Sequence, residues 1–222
     1  MNFDVKYMLS IIPHILSYLP VTLLISLLSI LLATALGIIF ALLLRAGKGA
    51  AGFAHLYISF FRGTPVLVQL LIIYFGLPQI FPALNSMSAM NAVILGLSLN
   101  TSAYLAEIFR AAIDSVDSGQ LEASLASGLS LFQASWRILL PQACRNAIPA
   151  TGNVYIGLIK NSSLAFTLGV SELLAAGKLA ATESLKYFEA YFAVGLIYWG
   201  LTIILSELQR RLEKQINKPY VN

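Results

Sequence analysis

Long runs without a single charged side chain alternate with short polar breaks. No Asp, Glu, Lys or Arg occurs between His14 and Arg45, between Gly63 and Ala106, or between Ala190 and Ser206. A helix that crosses the hydrocarbon core needs about 20 mostly apolar residues. The runs predict five spanning helices, at about 19–44, 53–77, 90–112, 149–170 and 188–209, in a single domain over 1–222. Gly47, Lys48, Gly49 and Gly52 mark the turn after the first. The stretch 63–106 holds two spans only if the chain turns within it, and Pro78, Pro82, Asn85, Ser86 and Ser88 provide that turn. Residues 65–77 are the main part of the second span, with Thr64 as cap and Pro65 in the first turn. Residues 53–61 either extend that span or lie along the interface, and Arg62 reads as a snorkelling interfacial cation. The fourth span is interrupted by Lys160, Asn161, Ser162 and Ser163. Residues 172–186 are mixed and predict a short polar helix on the far side.

One polar break carries ordered helix signals of its own. Asp117 with Gln120, and Ser130 with Gln133, each set a capping residue three positions before a polar partner, and Gly128 falls between them. The pattern predicts two short helices joined by a left-handed glycine, over 117–141. Leu121 and Leu125 share a face, with Ala123 and Ala126 as small neighbours. Such a helix can seat in a groove of another protein; otherwise it is a solvated connector.

Those residues also carry a resemblance. Glu122-Ala123-Ser124, then three residues to Gly128, then nine to Ile138-x-Leu140-Pro141, is similar to the coupling loop of membrane subunits of bacterial ABC importers. The departure is Ser124, where the family pattern has a second alanine. Arg62-Gly63-Thr64-Pro65 and Ala103-Tyr104-Leu105-Ala106-Glu107-Ile108-Phe109-Arg110 resemble the polar amino acid branch of that family, and the likeness runs from about Pro20 to the C-terminus. The resemblance implies an all-α membrane bundle of the type I importer fold. It implies a permease subunit, not an enzyme, whose loop residues Glu122, Ala123, Ser124, Gly128, Ile138, Leu140 and Pro141 couple it to a separate ATPase. It also implies an extracytoplasmic amino acid-binding protein and a second permease, either a copy or a relative.

Composition agrees with a membrane setting. Charged residues make up 11% of the chain and hydrophobic residues 58%, where soluble domains carry about a quarter charged. The net charge of +4 is spread over loops and forms no nucleic-acid patch. Cys144 is the one cysteine, so no internal disulfide forms. His14 and His55 have no ligand-spaced companions, and the chain has no phosphate-binding G-x-x-x-x-G-K-[ST] segment. No cofactor is therefore expected on this chain; ATP and magnesium belong to the partner.

With the N-terminus outside and the C-terminus in the cytoplasm, Arg45, Lys48, Arg62, Arg110, Arg137, Arg145, Arg210, Arg211, Lys214 and Lys218 lie inside, against Lys6, Lys178 and Lys186 outside. That bias fits a bacterial cytoplasmic membrane protein in this orientation, and it puts the 117–141 loop within reach of an ATPase.

Two polar groups fall inside predicted spans. Asn100, Tyr104 and Glu107 line one helical face beside Thr101. They form either a wall of a translocation path, with acceptors for an ammonium, or interhelical bonds with Glu107 paired to Arg110. Lys160, Asn161, Ser162 and Ser163 form either a gate or carboxylate contact, or a snorkelling lysine beside a helix break. Family members also carry a Lys-x-x-Ser-Leu run here. An ion-coupled carrier or channel using Glu107 and Lys160 is the alternative to the importer. The stretches 18–25 and 63–79 look most like permeases for cystine and related sulfur amino acids.

Overall fold

Small and hydroxylated side chains decide where the helices meet. In α2 (Leu19–Leu43) Thr22, Ser26, Ser29, Ala33 and Gly37 are buried, while Leu24, Leu27, Leu31 and Leu32 are exposed. Lipid tails are as apolar as leucine, so nothing drives leucine inward and close backbone packing takes over. The buried stripe lies against α6 (Ala89–Asp114). There Ser98 Oγ lies 2.5 Å from the Ile94 carbonyl and 3.3 Å from that of Ser29. The chain is seen here as a computed structural model that describes residues 3–217.

The segment expected as one span at 53–77 is not a single rod. α3 (Lys48–Gly63) begins inside the predicted turn, and α3 and the segment Val66–Ile80 meet at 108°. A residue before proline is pushed out of the α region. Thr64 accordingly lies at φ −118°, ψ 148°, and Pro65 at ψ 133°. Beyond the bend run α4 (Val66–Leu71), a π-turn (Ile72–Gly76) and α5 (Leu77–Ile80). Pro82–Leu84 forms a short 3-10 turn before α6.

After α6 come α7 (Ser118–Ala126) and α8 (Leu131–Ala134). α8 continues through a second π-turn (Ser135–Leu139) into α9 (Leu140–Asn161). The second loop helix thus does not stop at Pro141, and the fourth span is helical well before residue 149. Each π-turn precedes a Leu-Pro pair, at Pro78 and Pro141. Proline lacks an N–H and its ring clashes with the carbonyl four residues back. The π-turn shifts the ladder by one residue, as Leu77 N–H to Ile72 O and Leu140 N–H to Ser135 O show, and the helix passes the proline.

Ser162–Leu168 is a 3-10 helix, closed by Gly169 in the left-handed region at φ 83°. α10 (Leu173–Ser184) follows. The short helix expected at 172–186 is present, but one side of it is apolar and packed, with Leu173, Ala175, Ala176, Gly177, Ala180 and Ala181 buried. α11 (Tyr187–Asn217) completes the described residues.

An N-terminal helix that the sequence reading did not anticipate, α1 (Val5–Leu16), packs Met8, Ile11 and Ile15 against α10 and α11. Asp4 caps α1, and its Oδ2 accepts from Lys186 Nζ at 2.6 Å. That bond holds the Asp4 carboxyl below the usual carboxylate range and Lys186 above the usual lysine range. A lowered carboxyl contributes above its unfolded pKa and a raised lysine below its own, so the tether persists throughout the neutral range.

Among the described residues α2, α6 and α11 are each long and apolar enough to cross a membrane. The pairs bent at Thr64 and after Leu168 bring the crossings to five if each counts as one span.

A Cβ on Gly37 would stand 2.8 Å from Leu105 Cβ and 3.2 Å from the Phe109 ring. Gly37→Leu is expected to push α2 off α6, cost about 1–3 kcal/mol and lower the thermal midpoint of the detergent-purified protein. Gly49→Ala, with open space around its Cβ position, should leave the midpoint within error.

Candidate functional site

A helix that breaks inside a membrane frees carbonyls that lipid cannot satisfy. At the α3–α4 bend, side chains satisfy them. Thr64 Oγ1 donates to the Phe60 carbonyl at 2.8 Å. Gln69 Nε2 donates to the Phe61 carbonyl at 3.0 Å and to Thr64 Oγ1 at 2.7 Å, and lies 3.1 Å from the Thr64 carbonyl. Asn100 Nδ2 reaches the same Phe61 carbonyl at 2.8 Å and Gln69 Oε1 at 3.0 Å. Gln69 is 2% exposed. The sequence reading passed it over, though a lone amide within an apolar span was the available signal. Asn100 therefore acts as interhelical glue at the break. Tyr57 fastens the other side, its hydroxyl donating to the Leu99 carbonyl at 2.9 Å.

The bend opens a cavity of about 360 Å³ between three elements. Thr64, Pro65 and Val66 line it from the break, Asn100, Thr101 and Tyr104 from α6, and Val154, Gly157, Leu158 and Asn161 from α9. Four of the predicted path residues are thus brought together: Asn100, Thr101, Tyr104 and Asn161. Glu107, Lys160, Ser162 and Ser163 are not on that lining. Glu107 Oε2 accepts from Arg110 Nη2 at 2.8 Å. Arg110 also bonds Asp114 at 3.0 Å, and Asp114 holds Arg45 of α2 at 2.7 Å. Ser162 Oγ donates to the Ile159 carbonyl and Ser163 Oγ to that of Lys160, each at 2.7 Å. These two serines serve the end of α9, and Lys160 beside them is exposed.

Arg62 is not where the sequence placed it. Its neighbour Phe61 bonds Asn100, close to the midpoint of the 26-residue α6. Arg62 therefore sits level with the middle of α6 and not at either end of it. Its guanidinium carbon lies 5.4 Å from the centroid of the Tyr104 ring. A cation at that depth costs about 2.5–3.5 kcal/mol facing lipid, so it faces protein or water.

Glu172, also passed over, is fully buried. It caps α10 through Leu174 N–H and Ala175 N–H, both at 3.0 Å, and accepts from the Tyr198 hydroxyl of α11 at 2.8 Å. Leu173 N–H donates to Thr22 Oγ1 of α2 at 3.3 Å. One carboxylate and one hydroxyl thus fix the start of α10 to two neighbours. An acid directly before an apolar, alanine-rich helix was the signal for it.

The loop between α6 and α9 is built on caps. Ser130 and Gln133 form a complete capping box, with bonds of 3.2 and 2.9 Å. Asp117 caps α7 through Gly119 N–H at 2.7 Å. Gln120 does not return the bond, and its side chain lies 3.5 Å from Gln142. Gly128 sits at φ 84°. Gly128 N–H bonds the Leu125 carbonyl at 3.0 Å and Leu129 N–H that of Ser124 at 3.2 Å, the paired bonds of a left-handed helix stop. Ser124 is buried and donates to the Gln120 carbonyl. Ala123, Leu140 and Pro141 are exposed, and Ile138 is half-buried. Glu122 is exposed and makes no side-chain bond among the described residues. Phe132 is 76% and Trp136 64% exposed, their rings near-parallel at 6.4 Å.

Among the described residues no three His, Cys, Asp or Glu side chains stand close enough to hold a metal. The model of a protein family described as the binding-protein-dependent transport system inner membrane component matches residues 33–218. The chain belongs to that family. It is 54% identical over 220 residues to the probable amino-acid permease protein YxeN of Bacillus subtilis, covering 99% of this chain and 98% of that one. It is 38% identical over 221 residues to the L-cystine transport system permease protein TcyL of the same organism, covering 97% and 92%. A crystal structure of an amino acid ABC transporter with histidines shares the fold at TM-score 0.88 and 34% identity, over 97% of this chain and all of that one. The protein is a multi-pass permease subunit of an ABC importer for polar amino acids, with the all-α type I fold, and it forms part of the translocation path. Membership implies an importer complex with ATPase, substrate-binding protein and paired permease. The alternative of an ion-coupled carrier falls, and Glu107 is bound to Arg110.

Gln69→Leu keeps the volume of the side chain and strips the Phe61 and Thr64 carbonyls and the Asn100 amide of a partner. Leaving a buried polar group unsatisfied costs about 1–3 kcal/mol. The variant is expected to melt earlier in detergent and to lose uptake, whereas Gln69→Glu, which keeps an acceptor for Asn100 but no donor, should fall between. Thermal unfolding of the three proteins checks the order.

Proposed function

We propose that the loop α7–α8 is the handle gripped by a cytoplasmic ATPase and that the cavity beside Thr64 is part of the substrate path. The observation that carries this is the exposure of Leu131, Phe132 and Trp136 in the loop that also holds the unbonded Glu122, outside the membrane-spanning helices. Exposed aromatic pairs of this kind anchor protein interfaces. Glu122, Ala123, Ser124, Gly128, Ile138, Leu140 and Pro141 form the coupling segment, with Ser124 and Gly128 setting its shape and Glu122 and Ala123 facing the partner. α8 and α9 are continuous from Leu131, so a displacement of the loop is delivered to Gly157 and Asn161 at the cavity wall.

The N-terminus lies outside and the C-terminus in the cytoplasm of a bacterial inner membrane. Arg45, Arg110, Arg137 and Arg145 gather at the loop end of the molecule, and Lys186 bonds Asp4 at the other. The move of Arg62 to mid-span leaves this bias intact; Lys218 lies outside the described residues. Two permeases, identical or related, enclose the path. An external binding protein delivers the amino acid, and nucleotide binding shifts the pair between inward-open and outward-open forms. The substrate is L-cystine or another sulfur amino acid, supported by the stretches 18–25 and 63–79 and by the likeness to TcyL.

Gly128→Val has room for its side chain but forces a β-branched residue to positive φ, at a cost of about 1–2 kcal/mol. The protein should still insert, while ATP-driven uptake falls and ATP hydrolysis is uncoupled from it; normal uptake would refute the handle. Phe132→Ala with Trp136→Ala should recover much less ATPase on co-purification. In proteoliposomes of the whole importer, labelled L-cystine should accumulate and resist competition by arginine and glutamine. Preference for either competitor would exclude the sulfur amino acid.

A further inference from the structure

Where α10 passes into α11, two hollows lie side by side. The first, of about 500 Å³, is lined by Lys186 and Glu189 together with Phe3, Leu185, Tyr187 and Phe188. The second, of about 450 Å³, is walled by Tyr187, Phe188, Tyr191 and Phe192. Tyr187 and Phe188 belong to both, so the two form one groove with a polar head and an aromatic tail. Its rings are ordered against one another: Phe188 stacks on Phe192 at 5.6 Å, and Phe3 meets Phe188 edge-on at 5.5 Å. The turn beside the head is strained. Leu185 is the one non-glycine residue at positive φ among the described residues, at 58°, yet it is exposed, and such strain persists only where the surroundings over-determine it. The charge-free part of α11 begins at Ala190. The head of the groove therefore lies where a span enters the hydrocarbon, at the depth of lipid headgroups, and the tail runs just below it. Asp4, Lys186 and Glu189 leave one net negative charge at the head. Lys186 Nζ spends one of its three N–H groups on Asp4. Glu189 is 8% exposed and accepts the Asp4 N–H at 3.0 Å, but it forms no ion pair among the described residues.

We propose that this groove binds one phospholipid with an ethanolamine headgroup. The ammonium sits between the Glu189 carboxylate and the rings of Tyr187 and Phe188, because a nearly buried carboxylate gains most from a cation and aromatic faces attract organic ammonium groups. The phosphate meets the remaining N–H groups of Lys186. One acyl chain fills the slot between Tyr191 and Phe192. A phospholipid without an ammonium would set its own negative charge beside Glu189 and leave that carboxylate unpaired. A protein on this face would have to bring a cation and a hydrocarbon chain to the same depth. The lipid carries both, joined, and the bilayer supplies it at that level. Phe3 and Asp4 stand immediately before α1, so the bound headgroup closes the joint between α1 and α11. The proposal rests on the depth and charge of the groove and not on the solute carried or the grip of the ATPase.

The test uses the complete importer, purified in detergent, stripped of lipid and titrated with defined lipids under native mass spectrometry. The probes are phosphatidylethanolamine, phosphatidylglycerol of the same acyl chains, and soluble phosphoethanolamine. The wild type is expected to hold one phosphatidylethanolamine per permease, about tenfold more tightly than phosphatidylglycerol, and to bind the chain-free headgroup far more weakly than either. Glu189→Gln keeps an acceptor for the Asp4 N–H but removes the charge, and should erase the preference between the two lipids. Phe188→Ala with Phe192→Ala, at two exposed positions, should weaken both lipids while the importer stays assembled. Equal affinity of the wild type for the two lipids, or undiminished phosphatidylethanolamine binding in the double alanine variant, would overturn the inference. So would loss of a subunit from the double alanine complex, which would make this face a protein contact.

Discussion

In hydrocarbon every backbone carbonyl must find a donor within the protein, and this rule explains where the polar residues of the chain sit. The helices of the second and fourth crossings break, at Thr64 and after Asn161. At each break, short polar side chains close the ladder: Thr64, Gln69 and Asn100 at the first, Ser162, Ser163 and Thr167 at the second. The cavity lies between these breaks because a bent helix leaves space that a straight one would fill. Part of its polarity is a consequence of the first break, since Thr64 and Asn100, which satisfy the backbone there, also line the opening. Asn100 thus both closes the break and lines the opening.

The prolines follow the same logic with the opposite result. Pro78 and Pro141 sit in apolar or helical surroundings where a kink would expose carbonyls. A π-turn before each absorbs the missing donor. For Pro141 the effect is mechanical. The helix from Leu131 to Asn161 stays continuous over about 45 Å, at 1.5 Å per residue, and joins the α7–α8 loop to the cavity wall. A helix that stopped at Pro141 would have put a flexible joint between them.

Much of this was legible in the sequence, and what was not has physical causes. The charge-free runs gave the spans because insertion depends on composition over about 20 residues. The capping box at Ser130 and the glycine stop at Gly128 were legible because both are local. The depth of Arg62 was not, because a charge beside an apolar run looks the same at an interface and at a mid-membrane break. Only the long-range bond from Asn100 to Phe61 fixes it. Nor could the sequence show that α10 is buried. Its packing against α1 and α11 uses alanines, which carry no periodic signal when the surrounding medium is itself apolar.

That medium also settles which way the molecule faces. α2 turns Leu24, Leu27, Leu31 and Leu32 outward, a surface suited to lipid. α9 exposes Asn146, Asn153 and Lys160, at seven-residue spacing, with Asn161 beside them, and Tyr104 and Arg62 are exposed nearby. Asn146 spends its amide on Ser115 at 2.9 Å, close to the α7–α8 loop. The stripe beyond it reaches the depth of the cavity, where lipid would leave amides and a cation unsatisfied. One flank of the chain is therefore built for the bilayer and the other for water or protein. A single copy would expose the second flank to lipid. A protein partner on that flank would remove the cost, on the side where the cavity opens.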